Sequence, residues 1–78
     1  MPQYFFDVDD GENVTQDVVG LILETREQAR IEAIRSLPEL ASHLLLKDEL
    51  RAVTVRIRED GDNPIFEAKL LLVSKWLD

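Results

Sequence analysis

The stretch TREQARIEAIRSLPELASHL, residues 25–44, decides the fold, because it has the pattern of an amphipathic helix. Thr25 and Gln28 have the spacing of a capping box, in which each side chain binds the backbone N–H of the other residue. After this cap, apolar residues recur every three or four positions, as on one face of a helix: Ala29, Ala33, Ile34, Leu37, Leu40, Ala41 and Leu44. The sequence therefore predicts a helix from residue 26 to about residue 46 that packs this stripe against a sheet.

Pro38 interrupts the stripe, because proline lacks the N–H group that would bind the carbonyl group four residues earlier. Ser36 and Glu39 form a second capping box around it. Two shorter helices that meet near residue 36 are therefore an alternative. The stripe keeps its phase through Pro38, which favours one long, kinked helix.

Four segments around the helix are predicted to be strands: residues 18–23 because they are apolar and partly β-branched, with Gly20 as a bulge or bend, and the others from alternation and pairing, since successive side chains of a strand point to opposite faces. They are residues 3–8, 18–23, 51–59 and 65–74. The turn signal Asp9-Asp10-Gly11 follows the first segment, and residues 60–64 form a second turn between the last two. The order β-β-α-β-β predicts a single two-layer α+β domain over residues 1–78, a four-stranded antiparallel sheet with the helix on one face.

The last two strands are predicted to pair through a four-residue loop that places Glu59 opposite Pro64. On one face this register sets apolar residues opposite each other: Ile57 and Phe66, Val55 and Ala68, Val53 and Leu70. On the other face it sets Arg56 opposite Glu67, an ion pair. Matching pairs on both faces support the register.

The face of the sheet away from the helix, here called the outer face, is predicted to carry exposed apolar side chains. The candidate interaction surface consists of Phe5, Ile65, Leu71 and Val73, with Trp76 nearby. Apolar patches of this kind are typical of contact surfaces. A chain of 78 residues without cysteine also has no disulfide to support its small core. We therefore expect a homo-oligomer, most simply a dimer, that forms through this face or through an edge strand.

Acidic residues are concentrated at the start of the chain. Residues 1–24 contain six acidic and no basic residues, and so carry a charge of −6 out of a total of −7. The candidate acidic partner surface consists of Asp7, Asp9, Asp10, Glu12 and Asp17. Such a field attracts basic proteins and repels phosphate backbones. A basic protein is therefore a candidate partner, while solvated turn residues are the simpler interpretation.

No constellation typical of an enzyme or a metal site is present in the sequence. With Gly11 in the glycine position of a calcium-binding loop, Phe6 and Val8 would occupy ligand positions. His43, one turn after Glu39, is predicted to be an exposed helix residue. Glycine-rich phosphate loops are absent as well. We expect no catalytic residue, no cofactor and no metal.

Basic residues could form a stripe along the outer face of the predicted sheet: Arg51, Arg56, Arg58 and Lys69. Sheets that bind RNA combine such charges with aromatic residues. Glu67 interrupts the stripe and the total charge is adverse, so RNA or DNA binding is only a minor alternative. Because no apolar run approaches the length needed to cross a bilayer, we expect a soluble cytoplasmic protein without membrane contact.

Short motifs occur in a defined order: Tyr4-Phe5-Phe6-Asp7, Asp10-Gly11, Asp17-x-x-Gly20, Ala29-Arg-Ile-Glu-Ala33 and Phe66-x-Ala68-x-Leu70-x-Leu72. In this combination the chain resembles a family of small bacterial proteins of unknown function. Pro38 and the loop at residues 60–64 depart from the pattern. The resemblance implies a bacterial cytoplasmic protein and supplies no activity.

Together these features predict a small non-catalytic binding or self-associating interaction module. The alternative is an acidic regulatory protein that neutralises a basic partner, as small antitoxins do. That alternative is an analogy of size, charge and architecture.

Overall fold

The computed structural model of the chain describes residues 1–44 and 52–78. Within these residues the elements, in chain order, are β1 (Gln3–Asp9), β2 (Val14–Thr15), β3 (Leu21–Ile22), α1 (Arg26–Leu44), β4 (Ala52–Glu59) and β5 (Asn63–Leu71). The strands form one antiparallel sheet. The predicted α+β class is confirmed.

The centre of the sheet consists of β1 and β4, and β5 pairs with the other side of β4. Two short strands share the remaining edge of β1, with β2 at one end and β3 at the other. The strand predicted over residues 18–23 therefore has the wrong bounds, because only its residues 21–22 pair with β1. The turn signal before it is confirmed, and Gly11 adopts a φ of +95° there.

The predicted register of β4 and β5 is confirmed for residues 53–57. Closer to the turn the prediction is wrong, because Glu59 lies opposite Asn63. A β-bulge causes this shift, since it places the additional residue Ile65 in β5 without a direct partner in β4. The final strand also ends at Leu71, before the predicted residue 74.

The helix α1 begins at the predicted cap. The backbone N–H of Gln28 donates to the hydroxyl group of Thr25 (3.1 Å), and the Gln28 side-chain oxygen accepts the N–H of Thr25 (3.3 Å). The helix continues through Pro38, which confirms one long helix instead of two. Its predicted end near residue 46 lies outside the described residues. No helix in the described part of the chain is long and apolar enough to cross a membrane.

The core lies between α1 and the central strands and consists of Tyr4, Ala29, Ala33, Leu37, Ala41, Val53, Val55 and Ile57. Alanine at three helix positions lets α1 lie close to the sheet. The helix is placed over β4 and β5. In contrast to the predicted stripe, Ile34 is 44% exposed, because it lies on the flank of α1. The side chain of Leu44, the last residue of the predicted stripe, lies outside the described part of the structure.

Candidate functional site

Arg58 on β4 is the centre of a polar network on the outer face. Its guanidinium group donates to both carboxylate oxygens of Asp7 on β1, at 2.7 Å and 3.1 Å. It also donates to the backbone carbonyl groups of Asp17 (2.9 Å) and Gly61 (2.5 Å). The side chains of Arg58 and Asp7 are only 13% and 11% exposed. The ion pair is therefore buried and bidentate, the stronger type of charge-assisted contact.

Asp17 closes the gap between β2 and β3. Residues 16–20 lie opposite the middle of β1, where β2 has ended and β3 has not begun. The Asp17 carboxylate accepts the backbone N–H of Phe6 (3.0 Å), as a strand carbonyl group would do. The backbone N–H of Asp17 donates to the Asp7 carboxylate (2.9 Å). These contacts fix the loop at residues 16–20 against β1.

Gly20 lets this loop approach β1 closely. Its φ is +75°, and a Cβ atom at this position would lie 2.9 Å from Cε1 of Phe5 and 3.0 Å from Nε2 of Gln3. The ring of Phe5 also lies 4.8 Å from the Arg58 guanidinium carbon, within the range of a cation–π contact. The loop and Arg58 together cover this part of the outer face.

The network keeps both of its carboxylates charged. Hydrogen bonds from Arg58 lower the pKa of Asp7, although its burial acts in the opposite direction. Burial alone would raise the pKa of Asp17, but backbone N–H groups of Phe6, Gly20 and Val19 bind the carboxylate and lower it. The hydrogen bonds to Asp7 likewise raise the pKa of Arg58. The network of Arg58, Asp7 and Asp17, here called the clamp, thus joins β4, β1 and the loop at residues 16–20 through charged hydrogen bonds.

An open groove lies between α1 and β1 on the opposite, helix-facing side of the sheet. It exists because α1 is placed over β4 and β5, which leaves the apolar side chains of β1 beside the helix. Its volume is about 460 Å³, within the usual range of ligand-binding pockets. The groove is lined by Phe6, Val8, Leu21, Glu32, Ser36, Glu39, Leu40, His43 and Val55.

The groove has an apolar floor and a polar rim. The floor comes from the sheet, where Val55 is buried and Val8 is half-buried. The rim comes from one flank of α1. The residues of α1 that line the groove recur every three or four positions, as residues on one side of a helix do. Glu32 and Glu39 place acidic groups on this rim, and Glu32 also pairs with the exposed Arg35 at 3.4 Å. Such a site suits an apolar segment with basic residues along one side.

His43 is exposed, as the sequence predicts, and contributes to the rim one turn after Glu39. Neither residue belongs to a group of three or more potential metal ligands among the described residues.

A family model matches residues 3–71, from the first residue of β1 to the last residue of β5, and describes a domain of unknown function, DUF6894. The chain belongs to this family. The match confirms the expectation that the chain belongs to a family of unknown function, while the bacterial origin stays a prediction. No curated protein and no solved structure matches the chain. The DUF6894 match contains the Arg58 network and the groove, whereas residues 72–78 lie outside it.

The predicted apolar interaction surface does not form a single patch. Phe5 is half-buried in the clamp, and Ile65 packs against the core at the bulge, so its predicted position on the outer face is wrong. Leu71 is exposed at the end of β5. Val73 and Trp76, 80% and 91% exposed, follow the sheet and lie outside the DUF6894 match.

The predicted acidic surface is largely engaged in the fold. Asp7 and Asp17 belong to the Arg58 network. Asp9 and Asp10 accept backbone N–H groups in the turn after β1, and Glu12 is exposed at that turn. Binding of a basic partner by these residues stays a prediction.

The predicted basic stripe on the outer face is divided into ion pairs. Arg56 donates to Glu67 at 2.7 Å, as the register predicted. Arg58 is neutralised by Asp7, and Lys69 is exposed on β5. Arg51 lies outside the described residues. Two of the four cations are therefore already matched by carboxylates.

Sequence reasoning missed both the groove and the clamp. Phe6, Val8 and Leu40 fit the pattern of core residues, and no local pattern fixes the lateral position of a helix on a sheet. For the clamp a signal was present in Asp17-x-x-Gly20, because aspartate accepts N–H groups two or three residues later in turns.

Proposed function

We propose that the domain is a non-catalytic interaction module of the cytoplasm that binds an amphipathic helix of a partner protein in the groove between α1 and β1. The observation that carries this proposal is the lateral position of α1. Because α1 covers β4 and β5, the apolar side chains of β1 and the flank of the helix face a common open space.

A helix suits this space better than a strand. The edge of β1 is already paired with β2 and β3, so a partner strand has no room to join there. Neighbouring strands lie about 4.8 Å apart, so a helix over β1 and its edge strands would lie two spacings, roughly 10 Å, from α1. Packed helices are separated by about 8–10 Å. A helix bound there would contact the sheet and α1 together.

The lining residues define the chemistry of the partner helix. From Glu32 to His43 the groove extends about 16 Å along α1 at 1.5 Å per residue, the length of three helical turns. An apolar stripe on the partner would contact Val8 and Leu40, as in other helix-in-groove complexes. Basic residues beside that stripe would face Glu32 and Glu39.

A regulatory role, in which the domain neutralises a basic protein, is the second candidate function. The charge of −7 favours it, since a field of this sign accelerates encounter with a cationic partner. RNA or DNA binding is not favoured, because Arg56 and Arg58 are paired with carboxylates on the outer face.

Fluorescence anisotropy with two synthetic peptides tests the proposal. Both are three-turn amphipathic helices with a leucine stripe; one has lysine flanks and the other has glutamate flanks. We expect the lysine peptide to bind and the glutamate peptide to bind about tenfold more weakly. Leu40→Glu should abolish binding, because it places a charge beside the apolar floor, where the leucine stripe of the peptide would lie.

The matched control is Val19→Glu. It introduces the same charge in the loop at residues 16–20, away from the groove, at a residue that is 76% exposed. This variant should bind like the parent domain, and circular dichroism should show that both variants are folded. Equal binding by Leu40→Glu and the parent domain would contradict the proposal. The proposal is also contradicted if neither peptide binds to the parent domain.

A further inference from the structure

We infer that a second copy of the chain pairs with the outer edge of β5, around a two-fold axis at Ala68, and continues the sheet. β5 is the last strand in the sheet order, and its outer edge has no partner within the described residues. It is a strand of nine residues that is regularly paired from Phe66 to Leu71, beyond the bulge at Ile65, whereas the opposite edge consists of two strands of two residues each. A long open edge is a template for pairing with another chain.

The sequence of β5 is complementary to itself in the antiparallel direction. Glu67 and Lys69 are both exposed and both project from the outer face, one on each side of Ala68. When Ala68 lies opposite the partner's Ala68, Glu67 lies opposite the partner's Lys69. The two-fold axis generates this contact twice, so the register contains two opposite-charge pairs.

Neighbouring registers lack this complementarity. An axis centred on Glu67 would place two glutamates directly opposite each other, and an axis centred on Lys69 would place two lysines opposite each other. Like charges at directly opposite positions destabilise a strand pair. Of these three registers, all of which keep both helices on the same face, charge therefore favours the one centred on Ala68.

The same register brings apolar groups together on the helix-facing side. Phe66, which is half-buried in the single chain, would lie opposite the partner's Leu70. The two α1 helices would be two strand spacings apart, roughly 10 Å, which is a normal packing distance. Ile34 lies roughly 160° around α1 from Ser36 in the groove, and so on the flank that faces the partner. Its 44% exposure would decrease in the dimer.

This surface is separate from the peptide-binding groove. β1 and β5 lie on opposite sides of β4, so the dimer leaves both grooves accessible. A result that contradicts one of the two proposals therefore does not affect the other.

Sedimentation velocity of the full chain over a series of concentrations tests the inference. Glu67→Lys and Lys69→Glu each convert both intermolecular pairs into like-charge pairs, and we expect each to weaken dimerisation about tenfold or more. The double variant with both substitutions restores opposite charges and keeps the composition of the parent chain. It should dimerise like the parent. A mixture of the two single variants should form mixed dimers, because both pairs are again of opposite charge.

Glu24→Lys and Lys75→Glu are the matched controls, since they carry the same charge changes at exposed residues outside β5. Both should dimerise like the parent chain. The inference is overturned if the parent is monomeric at every concentration or if the single variants of β5 dimerise like the parent. It is also overturned if the mixture of single variants stays monomeric.

Discussion

Replacement of Asp7 by alanine is expected to destabilise the domain strongly, because it removes the carboxylate of a buried ion pair. Arg58 would lose hydrogen bonds of 2.7 Å and 3.1 Å, and the N–H of Asp17 would lose its acceptor at 2.9 Å. Breaking a buried ion pair by removing one partner costs about 3–5 kcal/mol. The carbonyl groups of Asp17 and Gly61 still bind the guanidinium. We therefore expect a loss near the lower limit, about 3 kcal/mol.

Urea unfolding followed by far-UV circular dichroism measures this loss. Trp76 is 91% exposed, so its fluorescence is a poor reporter of the core. For a domain of this size, a loss of about 3 kcal/mol lowers Tm by roughly 12–24 °C. Glu67→Ala, measured at a concentration at which the chain is monomeric, is the matched control, because it removes a carboxylate from an ion pair that is about half exposed, and such surface pairs contribute little. If Asp7→Ala destabilises the domain no more than Glu67→Ala does, the network is not a clamp.

Three further predictions concern the carboxylates of the Arg58 network, the glycine Gly20 and the helix residue Pro38. The pKa values of Asp7 and Asp17 are lowered from 3.8 in the fold, so their contribution to stability is present above about pH 4 and is lost as the pH falls through the lowered values. The urea midpoint should therefore decrease below pH 4, and should decrease less in Asp7→Asn; a midpoint independent of pH would contradict this. Gly20→Ala should destabilise the domain by about 1–3 kcal/mol through backbone strain and the contact with Phe5. Gly61→Ala, where nothing lies within 4 Å of the added Cβ, should lose only the backbone contribution, and equal losses would show that the loop does not approach β1 closely. Pro38→Ala should be neutral or stabilising, because the helix is continuous through this position; a clear decrease in Tm would contradict a continuous helix.

The helix and the β4–β5 register were predictable because both depend on local patterns. The capping box at Thr25 needs only side chains and backbone groups three residues apart, and the structure shows both of its hydrogen bonds. The register at residues 53–57 follows from alternation, since each face pairs residues of matching character. The capping box lies within one element, and the alternation concerns two strands that are joined by a short turn.

The clamp was not predictable because it joins residues that are far apart in the sequence. Arg58 and Asp7 are separated by 51 positions, and each has the appearance of an ordinary surface charge on an alternating strand. Asp17 replaces a strand carbonyl group with a side chain, which splits the edge strand into two short pieces. The bulge at Ile65 likewise depends on how the turn is accommodated, and alternation alone does not contain that information.

A partner helix bound between α1 and β1 must change the environment of the methyl groups that line the groove. Methyl NMR of the chain with labelled leucine and valine, titrated with the lysine-flanked peptide, measures this directly. We predict chemical-shift changes at the four groove residues of these types, Val8, Leu21, Leu40 and Val55. Chemical-shift changes confined to Val18 and Val19 in the loop at residues 16–20, with the signals of the groove residues unchanged, would contradict binding in the groove.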